Sequence, residues 1–576
     1  MNQLQAAPLS HGSRKWMWAA ALWALSASAF SAADLGPNVI VFDTTMSAAT
    51  VQAKLDQIFA QQETNQFGPQ RYALMFKPGH YLVNANVGFY TSVMGLGQHP
   101  GDVAIDAVTV DAGWFGGNAT QNFWRSVENV SVTPINGGTR WAVAQAAPMR
   151  RVWVKGNLNL APTNYGWASG GYIADSKIDA QVQPYSQQQW FTRDSQIGGW
   201  LNGVWNMVFT GVVGAPANSF PNPVYTTIDK SPVTREKPYL YLNSAGEYEV
   251  FVPSLRTNSS GTTWLNGQTP GQSIPLTKFY VAKPGVTAAE LNSQLGNGKH
   301  LLFTPGVYHL DQTLQVKKAN TIVMGLGYAT LIPDNGVTAM KVADVDGVKI
   351  ASLLFDAGPV KSKLLLQMGP KKADTAHADN PSSIQDVFFR IGGAAVGKAV
   401  TSLEINSNNV LVDHVWAWRA DHGTGIGWDV NTAATGVVVN GKNVTAYGLF
   451  VEHYQKYQVR WNGNGGRTYF FQNEMPYDPP TQDAWRTGAK GYAAYKVNDK
   501  VTSHEAWGLG SYCYFNVNPT IHADRGFEVP DVAGVRLHSL STVSLGGVGV
   551  IDRVINQTGA PAQGTNTVPS TVTTYP

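Results

Sequence analysis

Short apolar and β-branched runs recur along the chain, separated by glycine, asparagine and aspartate. Val130-Ser131-Val132, Val152-Trp153-Val154 and Tyr172-Ile173 follow one another at steps near 22 residues. A second series runs through Val348-Lys349-Ile350, Val387-Phe388-Phe389, Val410-Leu411-Val412, Val444-Thr445-Ala446 and Tyr469-Phe470-Phe471. Some of its steps match the first series; the others are longer, as inserted loops would make them. Short strands, Asn/Gly/Asp turns and a coil near 22 residues predict a parallel β-helix. One coil cannot bury its own inner face, so stacking must supply the core. A β-sandwich would space its strands about 8–12 residues apart with hairpin turns between them. The longer period argues against it.

The pattern is also duplicated at long range. Leu74-Met75-Phe76-Lys77-Pro78-Gly79-His80-Tyr81 is followed by Val93-Met94-Gly95-Leu96-Gly97. Leu302-Phe303-Thr304-Pro305-Gly306-Val307-Tyr308 is followed by Val323-Met324-Gly325-Leu326-Gly327. The offsets are 227 and 230 residues, and a helix-like segment precedes each copy, Ala49–Gln61 and Ala288–Leu295. Two matches in the same order predict two similar β-helical domains. The Gly-x-Gly pieces lack the further glycine or Lys-Ser/Thr of a phosphate loop. The expected fold is all-β: two tandem right-handed parallel β-helices packed side by side. We place the first at 34–215, a connecting segment at 216–275, the second at 276–556 and a flexible C-terminal tail at 557–576.

Composition narrows the function. Among 576 residues, 14% are charged and the net charge is +3, which gives no electrostatic case for nucleic acid. The single cysteine, Cys513, allows no disulfide within the chain and no cysteine metal cluster. It lies in an apolar run and reads as a small buried hydrophobe. Arg14 and Lys15 precede an apolar stretch from Trp16 to about Phe30, and Ser31-Ala32-Ala33 follows. This reads as a secretory signal peptide over residues 1–33, too short for the ~20 residues of a spanning helix. The mature chain is therefore expected outside the cytoplasm, secreted or periplasmic, as a monomer without membrane association. The 18 tryptophans and 23 tyrosines suit either a packed core or sugar-stacking surfaces.

Stacking turns sequence spacing into proximity, since residues one coil apart lie about 4.8 Å apart. Glu452 and Glu474 are 22 residues apart. Facing carboxylates on adjacent coils would repel, and one would keep its proton to higher pH, as a general acid requires. Gln145 and Ser169 are 24 apart and would set an amide beside a hydroxyl, a pair able to hold a water. From spacing alone the plainer readings are favoured: acidic residues on a solvated face and an ordinary polar turn ladder. Asp413-His414 and Asp421-His422 bracket Trp416-Ala417-Trp418-Arg419. They lack a His-x-x-x-His element and a clear third ligand, so buried hydrogen bonding or substrate contact is favoured over metal. Asp344-Val345-Asp346-Gly347 lacks the distal glutamate of a calcium loop and reads as a turn. No metal or cofactor is expected.

These residues carry a resemblance. Asp386-Val387-Phe388-Phe389-Arg390-Ile391-Gly392-Gly393, Val415-Trp416-Ala417-Trp418-Arg419-Ala420-Asp421-His422, Glu452-His453 and Gln472-Asn473-Glu474-Met475-Pro476-Tyr477 are similar to glycoside hydrolase family 55, exo-acting β-1,3-glucanases with tandem β-helices. Gln145-Ala146 and Ser169-Gly170-Gly171 extend the resemblance into the first half. It implies inverting hydrolysis of a β-glucan, with Glu474 as proton donor, Glu452 as an acidic neighbour, and Gln145 and Ser169 positioning the attacking water. Trp416, Trp418, Asp421, His422, His453 and Tyr477 would contact the sugar, in a cleft between the two β-helices. Val451 precedes Glu452 where these glucanases usually carry Ser, and Met475 follows Glu474 where Ser or Thr is common; both bear on linkage and sugar specificity. Three other readings stay open: a hydrolase of another glucan, a β-helix polysaccharide lyase needing Ca²⁺ and a basic catalytic residue, and a non-catalytic glycan-binding protein.

Overall fold

Each run of β-branched and aromatic residues forms a strand that lies parallel to the run one coil away. In the computed structural model, which describes residues 34–576, the first ladder climbs from Val39–Phe42 through Arg125–Val132, Pro148–Val154, Tyr172–Ala174 and Gln189–Arg193 to Tyr225–Ile228. The second climbs from Phe279–Ala282 through Ser383–Ile391, Leu411–Arg419, Thr445–Glu452, Gly466–Glu474 and His504–Cys513 to Val535–Ser544. An 8-stranded parallel sheet forms a further wall of the second. The chain is thus two parallel β-helices packed side by side. The expected signal peptide falls on residues 1–33, outside the described residues. No helix among the described residues is long and apolar enough to cross a membrane.

Alternation along one strand divides its side chains between two cores. Val387, Val415, Leu449, Phe471, Leu509 and Leu540 are register partners on successive rungs, and all are buried inside the second β-helix. The next residues, Phe388, Trp416 and Phe450, point the other way. They join Tyr90, Trp124, Tyr172 and Phe191 of the first β-helix in an aromatic layer between the two. Burying one such side chain contributes about 1.5–3 kcal/mol, so this layer holds the two halves in fixed relation.

The sequence duplication has a structural counterpart. Helix α1 (Ala48–Gln62) and helix α2 (Ala288–Gly296) each follow the first strand of their β-helix, capped by the Ser47 and Thr287 hydroxyls. The repeated tyrosine ties the next turn down in both copies. Tyr81 Oη donates to the Phe42 and Lys77 carbonyls at 3.1 and 2.8 Å, and Tyr308 Oη donates to those of Ala282 and Thr304 at 2.9 and 2.7 Å.

Two details differ from the sequence reading. The first ladder continues past residue 215, because Tyr225–Ile228 pairs in parallel with Met207–Thr210; the proline-rich stretch before it is a turn between rungs. Antiparallel pairs then follow, Ser231–Thr234 with Arg256–Ser259, Tyr239–Leu242 with Tyr248–Pro253, and Tyr248–Pro253 with Gly271–Pro275. The expected flexible tail is also partly ordered: Ser570–Tyr575 pairs antiparallel with Val535–Ser544, where alternating Thr and Val suit an added strand.

Candidate active site

Gln145 and Ser169 each precede a strand of the first β-helix by three residues, and Pro148 pairs with Tyr172, so their 24-residue spacing sets them on neighbouring rungs. Glu452 and Glu474 end adjacent strands of the second β-helix, where Phe450 pairs with Gln472. The side-by-side packing brings the two pairs together. Gln145 Nε2 donates to Glu452 Oε1 at 2.9 Å, and Ser169 Oγ donates to Gln145 Oε1 at 3.3 Å. A cavity of about 210 Å³ opens over them. Gln145, Ser169, Glu452 and Glu474 all line it. So do Trp416, Trp418, Asp421, His422, His453 and Tyr477.

The electrostatics favour proton-holding carboxyls. Burial first, and the facing Glu474 second, push Glu452 well above the usual carboxylate range, against the Trp416 and Gln145 donors. Trp416 Nε1 donates to Glu452 Oε2 at 2.8 Å, so both oxygens of this carboxyl are engaged. Burial also raises Glu474, while nearby His453 and the Tyr477 hydroxyl pull it down. Glu474 is the more open of the two, with 16% of its side chain exposed. Tyr477 Oη donates to Glu474 Oε2. Burial and Glu474 hold this phenol well above its ordinary pKa, so it stays a neutral donor.

A second set of groups borders the pair. His453 Nδ1 donates to the Met475 carbonyl at 3.0 Å, leaving Nε2 3.8 Å from both Asp421 and Glu474. His422 Nδ1 donates to Asp421 Oδ1 at 3.0 Å, and the Gln66 amide donates to His422 Nε2 at 2.5 Å. Burial raises the Asp421 carboxyl, but His422 and His453 outweigh it and hold it down at about 2. One acidic residue beside the cavity therefore stays ionised while two hold protons more tightly, the separation of roles on which acid catalysis depends.

Trp416 and Trp418 form the floor and are not open platforms. Each is about 1% exposed, their rings stack at 5.0 Å, and Trp418 stacks on Phe67 at 6.3 Å. Thr120, Gln121, Phe123, Gln188 and Leu545 complete the wall. Sequence reasoning missed them, because no local pattern marks a residue brought in from a distant coil. Trp167 and Tyr165, just before Ser169, are 55% and 60% exposed but do not line the cavity. The two departures from the glucanase pattern avoid the cavity. Val451 and Met475 are buried in the apolar core of the second β-helix. A separate, much smaller cavity of about 30 Å³ lies among Glu128, Arg150, Lys237, Ser352 and Asp386. None of the raised carboxyls described here faces it.

Comparison with known proteins places these features in a wider set. A family model described as the LAM55 pectate lyase-like domain matches residues 279–474, which end at Glu474. An exo-beta-1,3-glucanase of Streptomyces sp. (strain SirexAA-E / ActE) is 61% identical over 546 residues, 94% of this chain and 90% of that protein. The solved structure of sacteLam55A from Streptomyces sp. SirexAA-E matches with a TM-score of 0.93 at 60% identity, covering 95% of this chain and 99% of that one. A glutamate-to-alanine variant of sacteLam55A, in complex with glucose, also matches at a TM-score of 0.93 and 60% identity, over 94% of this chain and 98% of that one.

Proposed function

The chain belongs to glycoside hydrolase family 55, and from that premise we propose that it is a secreted exo-β-1,3-glucanase that hydrolyses its substrate with inversion, Glu474 being the proton donor. Burial raises both of the facing carboxyls, and Glu474, the more exposed of them, delivers a proton to the glycosidic oxygen as the bond to the sugar breaks. The water that attacks the opposite face of the sugar is held by Gln145 and Ser169. Glu452 keeps the Gln145 amide in place and shares the proton affinity of the pair. Trp416 and Trp418 support the sugar from below, and Asp421, His422, His453 and Tyr477 offer hydrogen bonds around it.

The observation that carries this reading is the 2.9 Å hydrogen bond from Gln145 of the first β-helix to Glu452 of the second, in the cavity that Glu474 also lines. An inverting glycosidase needs a donor on one side of the sugar and a water on the other. Here the two sides come from different β-helices. Glu474→Gln is expected to abolish sugar release from laminarin while leaving the folded state and its melting temperature intact. A product-size screen over laminarin, other β-glucans, α-glucans and pectin tests the substrate class and the exo action. Unchanged activity in Glu474→Gln removes the mechanism. Release of sugar from a different glucan alone removes the substrate.

A further inference from the structure

Gln145 is held at both ends. Its side chain bridges Glu452 and Ser169, and its own backbone carries φ of +21°, a conformation that a non-glycine residue keeps only when its surroundings impose it. The Gln145 carbonyl accepts from the Ala147 N–H at 2.8 Å and from a donor of the other β-helix. His414 Nε2 donates to the Gln145 carbonyl at 3.0 Å. The opposite ring nitrogen, Nδ1, lies 2.9 Å from Asp386 Oδ1. Arg150 fixes Asp386 through both carboxylate oxygens at 2.8 Å. A peptide carbonyl only accepts, so the bond to Gln145 is donated by the ring.

The ring has no freedom to turn. It is fully buried, stacks on Tyr172 with centroids 4.4 Å apart, and meets the edges of Phe388 and Phe450. It does not line the cavity, so it touches no substrate. We propose that His414, anchored on Asp386, is a positioning residue that holds the Gln145 peptide and thereby aims the Gln145 amide between Glu452 and Ser169. The proposal rests on the reading of Gln145 as a water-holding residue. Its leverage is geometric: a reacting group displaced by about 1 Å costs about 100-fold in rate.

Two substitutions separate this role from simple packing. His414→Gln keeps an amide donor within reach of the Gln145 carbonyl, whereas His414→Asn reaches Asp386 and not Gln145. With a β-1,3-linked glucose trimer as substrate, His414→Asn is expected to lower kcat at least tenfold with KM changed less than threefold. His414→Gln is expected to retain most of kcat. The Gln145→Ala/His414→Asn double variant is expected to be no slower than Gln145→Ala, because the two residues act in series. Unchanged kcat in His414→Asn overturns the proposal, as does an equal loss in the Asn and Gln variants or a double variant showing the product of the two losses. If His414→Asn does not fold, His414→Gln decides: retained kcat supports the proposal, and lost kcat in a folded protein overturns it. Gln145→Ala run alone keeps the two readings apart. Full kcat there sinks the role of Gln145 itself, whereas a slow Gln145→Ala beside an unimpaired His414→Asn sinks only the role of His414.

Discussion

At the scale of single residues, the site is a competition between burial and hydrogen bonding. Burial pushes Glu474 up, and the Tyr477 hydroxyl, by donating to the charged carboxylate, pulls it down. Removing that donor favours the protonated form. The rate of an enzyme whose acid is Glu474 falls as pH rises through that ionisation. In Tyr477→Phe the alkaline limb of the kcat profile is therefore expected to move to higher pH. A kcat profile measured across pH 4–9 checks the direction; a downward shift would show that Tyr477 serves the acid in some other way. Val451 and Met475 teach a different lesson. In the sequence they stand beside two site glutamates and look like specificity residues. In the fold the strand alternation turns Val451 into the core while Glu452 faces the cavity, and Met475 follows Val451 into the same core. Sequence adjacency on a strand means opposite faces.

At the scale of elements, the second ladder carries a kink on each of seven successive rungs. Ser352, Asp386, His414, Gly448, Phe470, Gly508 and Ser539 all have left-handed φ, and each falls at the corresponding place in its strand. This column faces the first β-helix. At two of its rungs the approach is too close for a side chain. A Cβ on Gly448 would lie 2.7 Å from the Tyr172 ring, and one on Gly508 2.4 Å from Val208. Gly448→Ala combines that clash with a left-handed backbone worth about 1–2 kcal/mol against alanine. It is expected to lower stability by at least that much in urea unfolding and to reduce activity, since the displaced Tyr172 packs on His414. Much of this architecture was legible. The β-branched runs marked the rungs, the duplicated Pro-Gly and Met-Gly-Leu-Gly elements marked the two solenoids, and spacings of 22 and 24 residues stacked the site pairs. The kinked column was not legible, because its members share a backbone conformation and not a residue type. The distant wall residues, Thr120 and Leu545 among them, were hidden for a related reason: only the approach of one solenoid to the other gives them neighbours.

At the scale of the whole molecule, the contact between solenoids is charged as well as aromatic. Arg193 reaches Glu236 at 2.6 Å and Asp413 at 2.6 Å, and Arg150 reaches Asp413 at 3.0 Å and Asp386 at 2.8 Å. These groups are buried, as the sequence reading of Asp413 in a buried hydrogen-bonding role expected. Such a network adds little over a well-packed apolar layer, but removing one partner strands the others and costs about 3–5 kcal/mol. Asp413→Asn is expected to lower stability by that order. Burial raises the carboxyls of Asp413 and Asp386, and their partners together, Arg150 foremost, more than reverse it, so both lie below the usual range in the folded chain. Their contribution is therefore present above the unfolded carboxylate pKa of about 3.9 and lost as pH falls through the folded values. Stability measured between pH 6 and 2 is expected to fall steeply in the parent chain and less steeply in Asp413→Asn. Equal slopes would count against the network as the source of acid sensitivity.

A ladder of parallel coils has an intrinsic hazard: its final rung exposes a row of unused peptide groups on which another chain can crystallise, one coil after the next. Here Ser570–Tyr575 lies across that rung in the reverse direction. The short closing strand breaks the polarity that a continuing coil would need to copy. Growth into fibres is blunted at that end by six residues whose composition alone suggested nothing more than a loose terminus.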